Sequence, residues 1–139
     1  MALALLVASR GFTARTALAR PSISARTAVR TMCALPDHLV DMKEELESGE
    51  AQLFDVREPG EWDQAHLVQA KHVPLSMLQE GYTPKHDKSL LTYLHCAAGI
   101  RVHPAAETLT SMGFERVVPL QEGFATLANY GFEYEMPGK

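Results

Sequence analysis

Behind Asp37, a residue type suited to capping a helix, Leu39, Met42 and Leu46 recur on one face and Gly49 follows as a stop, which predicts a helix between Asp37 and Gly49. Ala51 to Val56 (AQLFDV) is short and apolar and predicts a strand. Glu58-Pro59-Gly60 breaks it, and a helical turn carrying Glu61 and Trp62 is expected next. Lys71 to Leu75 (KHVPL) reads as a brief strand closed by Pro74, followed by a helix over Ser76 to Glu80 and a polar loop from Gly81 to Ser89. The run Leu90-Leu91-Thr92-Tyr93-Leu94 predicts a buried strand. Val102, Ala105, Ala106, Leu109 and Met112 then return to helical spacing, with Gly113 as the stop. Val117 to Leu120 is a last strand, in which Pro119 marks an end or a sheet edge, and Phe124 to Tyr130 a final helix.

Strands and helices alternate, so the expected fold is α/β: one domain with a mostly parallel central sheet flanked by helices. In such sheets ligands bind beyond the carboxyl ends of the strands. Asp55, Arg57 and Cys96 all fall at such ends and are expected to face one pocket.

Charge divides the chain in two. Up to Pro36 there are five arginines, no lysine and no acid, in a background of Ala, Ser and Thr. From Asp37 onward eight of the 13 basic residues meet all 17 acids, a balance of about −9. The first composition is that of an organelle transit peptide. Residues 1–34 are therefore assigned to a disordered transit segment directed to a plastid or the mitochondrial matrix, and residues 36–139 to the folded domain. Ala2 to Ala8 is short for a secretory signal core and no positive charge precedes it. Scattered arginines without lysine clusters or aromatics make a poor phosphate-binding patch, and the acidic remainder disfavours nucleic acid further. Nothing approaches the roughly 18 apolar residues of a membrane span.

The two cysteines, Cys33 and Cys96, do not make a disulfide framework once the first segment is removed. Cys96 ends an apolar strand and opens the small-residue loop HCAAGIR, at the start of a helix. A strand-to-helix turn aims backbone N–H groups and the positive end of the helix dipole at the loop's occupant, which favours a thiolate there. A loop of Ala97, Ala98, Gly99, Ile100 and Arg101 is not expected to bury the thiol well. Gly99 allows the loop to curl, and Arg101 is its fixed positive charge.

The stretches LFDVREPGEW (Leu53 to Trp62), AHLVQAKHVPLS (Ala65 to Ser76) and HCAAGIR (His95 to Arg101), followed by a helix, a strand and EGF (Glu122 to Phe124), together resemble a single rhodanese domain from about Pro36 to Gly131. The resemblance implies a sulfurtransferase with Cys96 as nucleophile. Its thiolate would take the outer sulfur of thiosulfate or a related anionic donor, expel sulfite, and hold a persulfide until cyanide or a thiol accepts the sulfur. The amides from Ala97 to Arg101 would stabilise the thiolate and persulfide, and Arg101 would bind the donor's sulfonate oxygens through paired N–H bonds. Arg57 has two open roles: lining that pocket, or pairing with Asp55, Glu58 or Glu61. Asp55 and Glu61 read as structural acids. In the family's G-H-I-x-G-A segment both glycines are replaced here, by Ala65 and Gln69, while His66 and Ala70 keep the frame.

Two other functions are weighed against this. Cell-cycle dual-specificity phosphatases share the fold, but their loop is Cys-x5-Arg, and here only four residues separate Cys96 from Arg101. A non-catalytic rhodanese module that binds a protein or senses sulfide or redox state is the other, and the presence of Cys96 weighs against it. His95 would raise the thiolate fraction of Cys96 if protonated, or else packs locally. His38, His72, His86 and His103 share no metal-ligand spacing, so neither a metal nor a cofactor is expected. If the transit assignment holds, Edman sequencing of the mature protein starts between Arg30 and Ala34; a start at Ala2 contradicts it.

Overall fold

A computed structural model describes residues 34–138 of the chain; the assigned transit segment and Cys33 lie outside these residues or at their border. The elements run α1 (Asp37–Ser48), β1 (Ala51–Asp55), α2 (Pro59–Trp62), β2 (His66–Leu67), β3 (Ala70–His72), α3 (Leu75–Gln79), β4 (Leu91–His95), α4 (Val102–Ser111), β5 (Arg116–Pro119), α5 (Phe124–Asn129) and β6 (Tyr134–Glu135). Four strands form a parallel sheet in the order β3-β1-β4-β5, and β2 pairs with β6 in a separate antiparallel ribbon. The expected α/β architecture is therefore present, with β1 and β4 at its centre.

Alternation along the two central strands divides the interior. Phe54 and Leu94 point to one face, where Val102, Ala105 and Leu109 of α4 and Leu78 of α3 cover them. Leu53 and Tyr93 point to the other, against Leu39 and Met42 of α1 and Leu127 of α5. Because side chains alternate with period two, the residues that end these strands are assigned to faces as well. Asp55 and His95, paired in register, follow Leu53 and Tyr93, and Cys96 joins the Phe54–Leu94 cluster.

Several local expectations are corrected. Asp37 does not cap α1: Pro36 occupies the cap position, its carbonyl accepting from the Leu39 and Val40 amides, and Asp37 is the first helical residue. Its charge there still suits the helix N-terminus. The strand expected to reach Leu75 ends at His72, because the sheet partner β1 ends at Asp55, and Leu75 begins α3. The ribbon β2–β6 was not expected. Pro119 is the last residue of edge strand β5, where its missing N–H costs no ladder bond.

The β5–α5 connection braces the loop that leaves β4. Phe124 N–H donates to the Cys96 carbonyl at 2.9 Å. A Cβ on Gly99, which sits at φ +73°, would lie 2.5 Å from the Gln121 carbonyl oxygen, and one on Gly123 would lie 1.8 Å from that of Ala97. Both contacts are with backbone, which cannot swing aside. Gly123→Ala is therefore expected to lower stability by about 1–3 kcal/mol or more, as overpacking does. Gly60→Ala, at a helical position with nothing within 4 Å, should be neutral or slightly stabilising. Urea unfolding of the two variants beside the parent chain checks the contrast.

Candidate active site at the Cys96 loop

Cys96 follows the last residue of β4, and Arg101 directly precedes α4, so the chain must turn from strand to helix within the residues between them. It does so with Gly99 in the left-handed region, and the Gly99 N–H donates to Cys96 Sγ at 3.1 Å. Burial pushes the Cys96 thiol pKa up, but hydrogen bonding from the amides of Ala98, Arg101, Ile100 and Val102 outweighs it, and the net shift is below the ordinary thiol value. The arrangement favours the thiolate through backbone dipoles rather than through a neighbouring base.

The thiol does not stand open, as the small residues of the loop suggested: Cys96 is only 1% exposed. The same curl that aims the amides inward folds the loop over Sγ, and Val102 and Ala105 pack in the same cluster. Ile100, at 72% exposure, stands on the outside of the loop.

Arg101 donates from its two terminal guanidinium nitrogens to Glu61, at 2.6 and 2.8 Å, bridging α2 to the loop. This pair holds the Glu61 carboxyl at about 2, well below its usual value, and raises the Arg101 pKa, to which the nearby Cys96 thiolate also contributes. Glu61 was expected as a structural acid and as a partner for Arg57; its bond to Arg101 had no signal in sequence, since 40 positions separate them.

Of the two roles open to Arg57, the structure displays the pairing. Its side chain is buried, bound to Asp55 at 2.6 to 3.0 Å and to the Ala65 carbonyl at 2.8 Å, with the guanidinium 4.4 Å from the Phe124 ring centre. It therefore ties the end of β1 to the turn before β2. His95 lies fully buried with neither ring nitrogen hydrogen-bonded, 3.6 Å from Asp55. Burial lowers its pKa, against an opposing pull from Asp55, so it is a neutral imidazole at pH 7 and brings no positive charge to Cys96.

The helix that carries Glu61 is itself pinned. Glu58 and Glu61 form a capping box, and Glu58 also accepts from the Ser76 hydroxyl at 2.7 Å. Trp62 stacks on His66 and on His72, ring centres 3.7 and 4.6 Å away. His72 Nε2–H donates to the Arg57 carbonyl, and His66 bonds the Trp62 carbonyl and Glu135 of β6. These aromatic and histidine contacts were missed by sequence reading, which weighed the histidines only as ligands, bases or frame-keepers. Among the described residues, no group of three or more His, Cys, Asp or Glu side chains is placed to hold a metal ion. None of the described helices is long and apolar enough to cross a membrane.

The chain is similar to known proteins. The uncharacterized protein YqhL of Bacillus subtilis is 38% identical over 85 residues, which are 59% of this chain and 66% of that protein. The thiosulfate sulfurtransferase GlpE of Coxiella burnetii is 34% identical over 74 residues, 53% of this chain and 68% of that one. The crystal structure of the Alr3790 protein from Anabaena superposes with a TM-score of 0.60 at 28% identity, covering 69% of this chain and 77% of the other. The sequence model of the rhodanese-like domain matches residues 39–129, a span that runs from α1 through the Cys96 loop to α5. With its sheet order, its Cys96 loop and its glycine-braced β5–α5 connection all inside that span, the chain belongs to the rhodanese-like domain family.

Proposed function

We propose that the chain is a sulfurtransferase of the thiosulfate sulfurtransferase kind, working through a persulfide on Cys96. The observation that carries this reading is the set of backbone amides around Cys96 Sγ, which stabilises a sulfur anion without a neighbouring general base. Sulfur transfer needs that and little more. In the first half, the Cys96 thiolate attacks the outer sulfur of thiosulfate or a related anionic donor, the donor S–S bond breaks, and sulfite leaves with the electron pair. In the second half, a thiol or cyanide attacks the outer sulfur of the persulfide and restores the Cys96 thiolate. The same amides that hold the thiolate hold the persulfide anion, one bond further out.

GlpE, the relative named as a thiosulfate sulfurtransferase, supports this choice of chemistry. The spacing between Cys96 and Arg101, one residue short of the phosphatase loop, supports sulfur over phosphate. Burial of Cys96 implies that the loop shifts as a donor enters, since Sγ must be reached for sulfur to be transferred. Ile100 offers an apolar contact for the thiol-bearing acceptor. The arginine-rich, acid-free composition before Asp37 supports action in the plastid or mitochondrial matrix.

Intact-mass and peptide mass spectrometry after exposure to thiosulfate tests the reading. One added sulfur on Cys96, removed by cyanide or a thiol, is expected; Cys96→Ser should keep the fold and gain none. Absence of the adduct on the parent chain would leave a binding module as the better account, and sulfur transfer by Cys96→Ser would overturn the assignment of Cys96 as the nucleophile.

A further inference from the structure

Two arginines and three carboxylates meet around the Cys96 loop, and their pairing has a consequence for the donor. Arg57 is buried against Asp55. Glu58 is turned to Ser76. Arg101 is the cation nearest the thiolate, and it is engaged on both terminal nitrogens by Glu61, with the two side chains 31% and 37% exposed. His95 is neutral through burial and adds no charge. A sulfonate that approaches Arg101 therefore meets a guanidinium that already carries a carboxylate. The pair presents no net charge, and the mature chain around it is acidic.

We propose that Glu61 is a specificity-determining residue for donor charge: seated on Arg101, it discriminates against dianionic sulfur donors and favours donors that carry one negative charge or none. The proposal rests on the sulfurtransferase reading above and sharpens its substrate class. Two charges a few ångström apart in a partly exposed site interact by an amount that matters to a rate, and a dianion suffers it twice over. The position of Glu61 suits this role, because the capping box and the Trp62 stack hold α2 and prevent the carboxylate from simply withdrawing.

Thiosulfate and the methanethiosulfonate anion make a matched pair of probes. Both present an outer sulfur on a sulfonyl centre, but the second has a methyl group where the first has a charged oxygen. The Cys96 thiolate forms the new S–S bond in both cases and the donor S–S bond breaks. Its electron pair leaves with sulfite in one case and methanesulfinate in the other, and the persulfide anion stays on Cys96 with no oxidant required.

The experiment measures the second-order rate of persulfide formation on Cys96 for each donor, by rapid quench and mass spectrometry, in the parent chain and in Glu61→Gln, Glu61→Ala and Glu61→Asp. The ratio of the thiosulfate rate to the methanethiosulfonate rate should rise about tenfold in the Gln and Ala variants, which remove the charge by different shapes. It should stay within about twofold of the parent in Asp, which keeps the charge. A ratio unchanged in Gln and Ala overturns the proposal. A fall in the ratio overturns it too, since Glu61 would then be serving thiosulfate by orienting Arg101. If neither donor forms a persulfide on the parent chain, the sulfurtransferase reading has failed, and the charge proposal falls with it for that separate reason.

Discussion

A single sulfur atom at the end of β4 must be held by backbone amides, and much of the local structure follows from that constraint. Amides converge on one point only if the chain reverses tightly, and Gly99 at φ +73° makes the reversal without strain. The reversed loop then needs a rigid support on its far side. Backbone supplies it: the Gln121 carbonyl against Gly99, Gly123 against the Ala97 carbonyl, and the Phe124 amide on the Cys96 carbonyl. Parallel pairing of β4 with β1 and β5 brings these pieces together, since it places the loop after each strand at the same edge of the sheet.

Electrostatics at this edge are arranged in closed pairs. Arg57 and Asp55 lie within the fold, where an unpaired charge of either sign would be costly, and their fork joins the end of β1 to the Ala65 turn. Arg101 and Glu61 are each about one-third exposed beside the Cys96 loop, where such a pair adds little to stability. Removing the fixed charges from contention leaves backbone dipoles as the main influence on Cys96. These do not titrate, so the lowering they give the Cys96 thiol pKa does not depend on the protonation of a neighbouring side chain.

Much of this was legible in the residues. Apolar periodicity located α1, β1, β4 and α4, and the change of period at Cys96 marked the loop itself. The pairing of Arg57 with Asp55 was among the open choices because residues two apart at a strand end can reach one another. Other features had no local signal. β2 and β6 are two-residue strands whose partners are almost seventy positions apart, so neither carries a period that can be read. The Arg101–Glu61 bond spans 40 positions and depends on how α2 is set by its capping box and the Trp62 stack. Burial of Cys96 was misjudged because small side chains were taken to mean an open loop, whereas they let the backbone itself close over the sulfur.

The central claim is that the backbone amides of the loop outweigh burial and hold the Cys96 thiol pKa below its ordinary value. The rate of its alkylation by iodoacetamide, followed by peptide mass spectrometry across pH, measures that directly. Only the thiolate reacts, so the rate climbs as pH rises through the thiol pKa, and a pKa lowered in the fold moves the curve toward acid. The midpoint for the folded chain should lie below the roughly 8.5 of a free thiol and return to that value when the same chain is alkylated in denaturant. A folded midpoint at or above the denatured one would contradict the account, because burial would then be outweighing the amides.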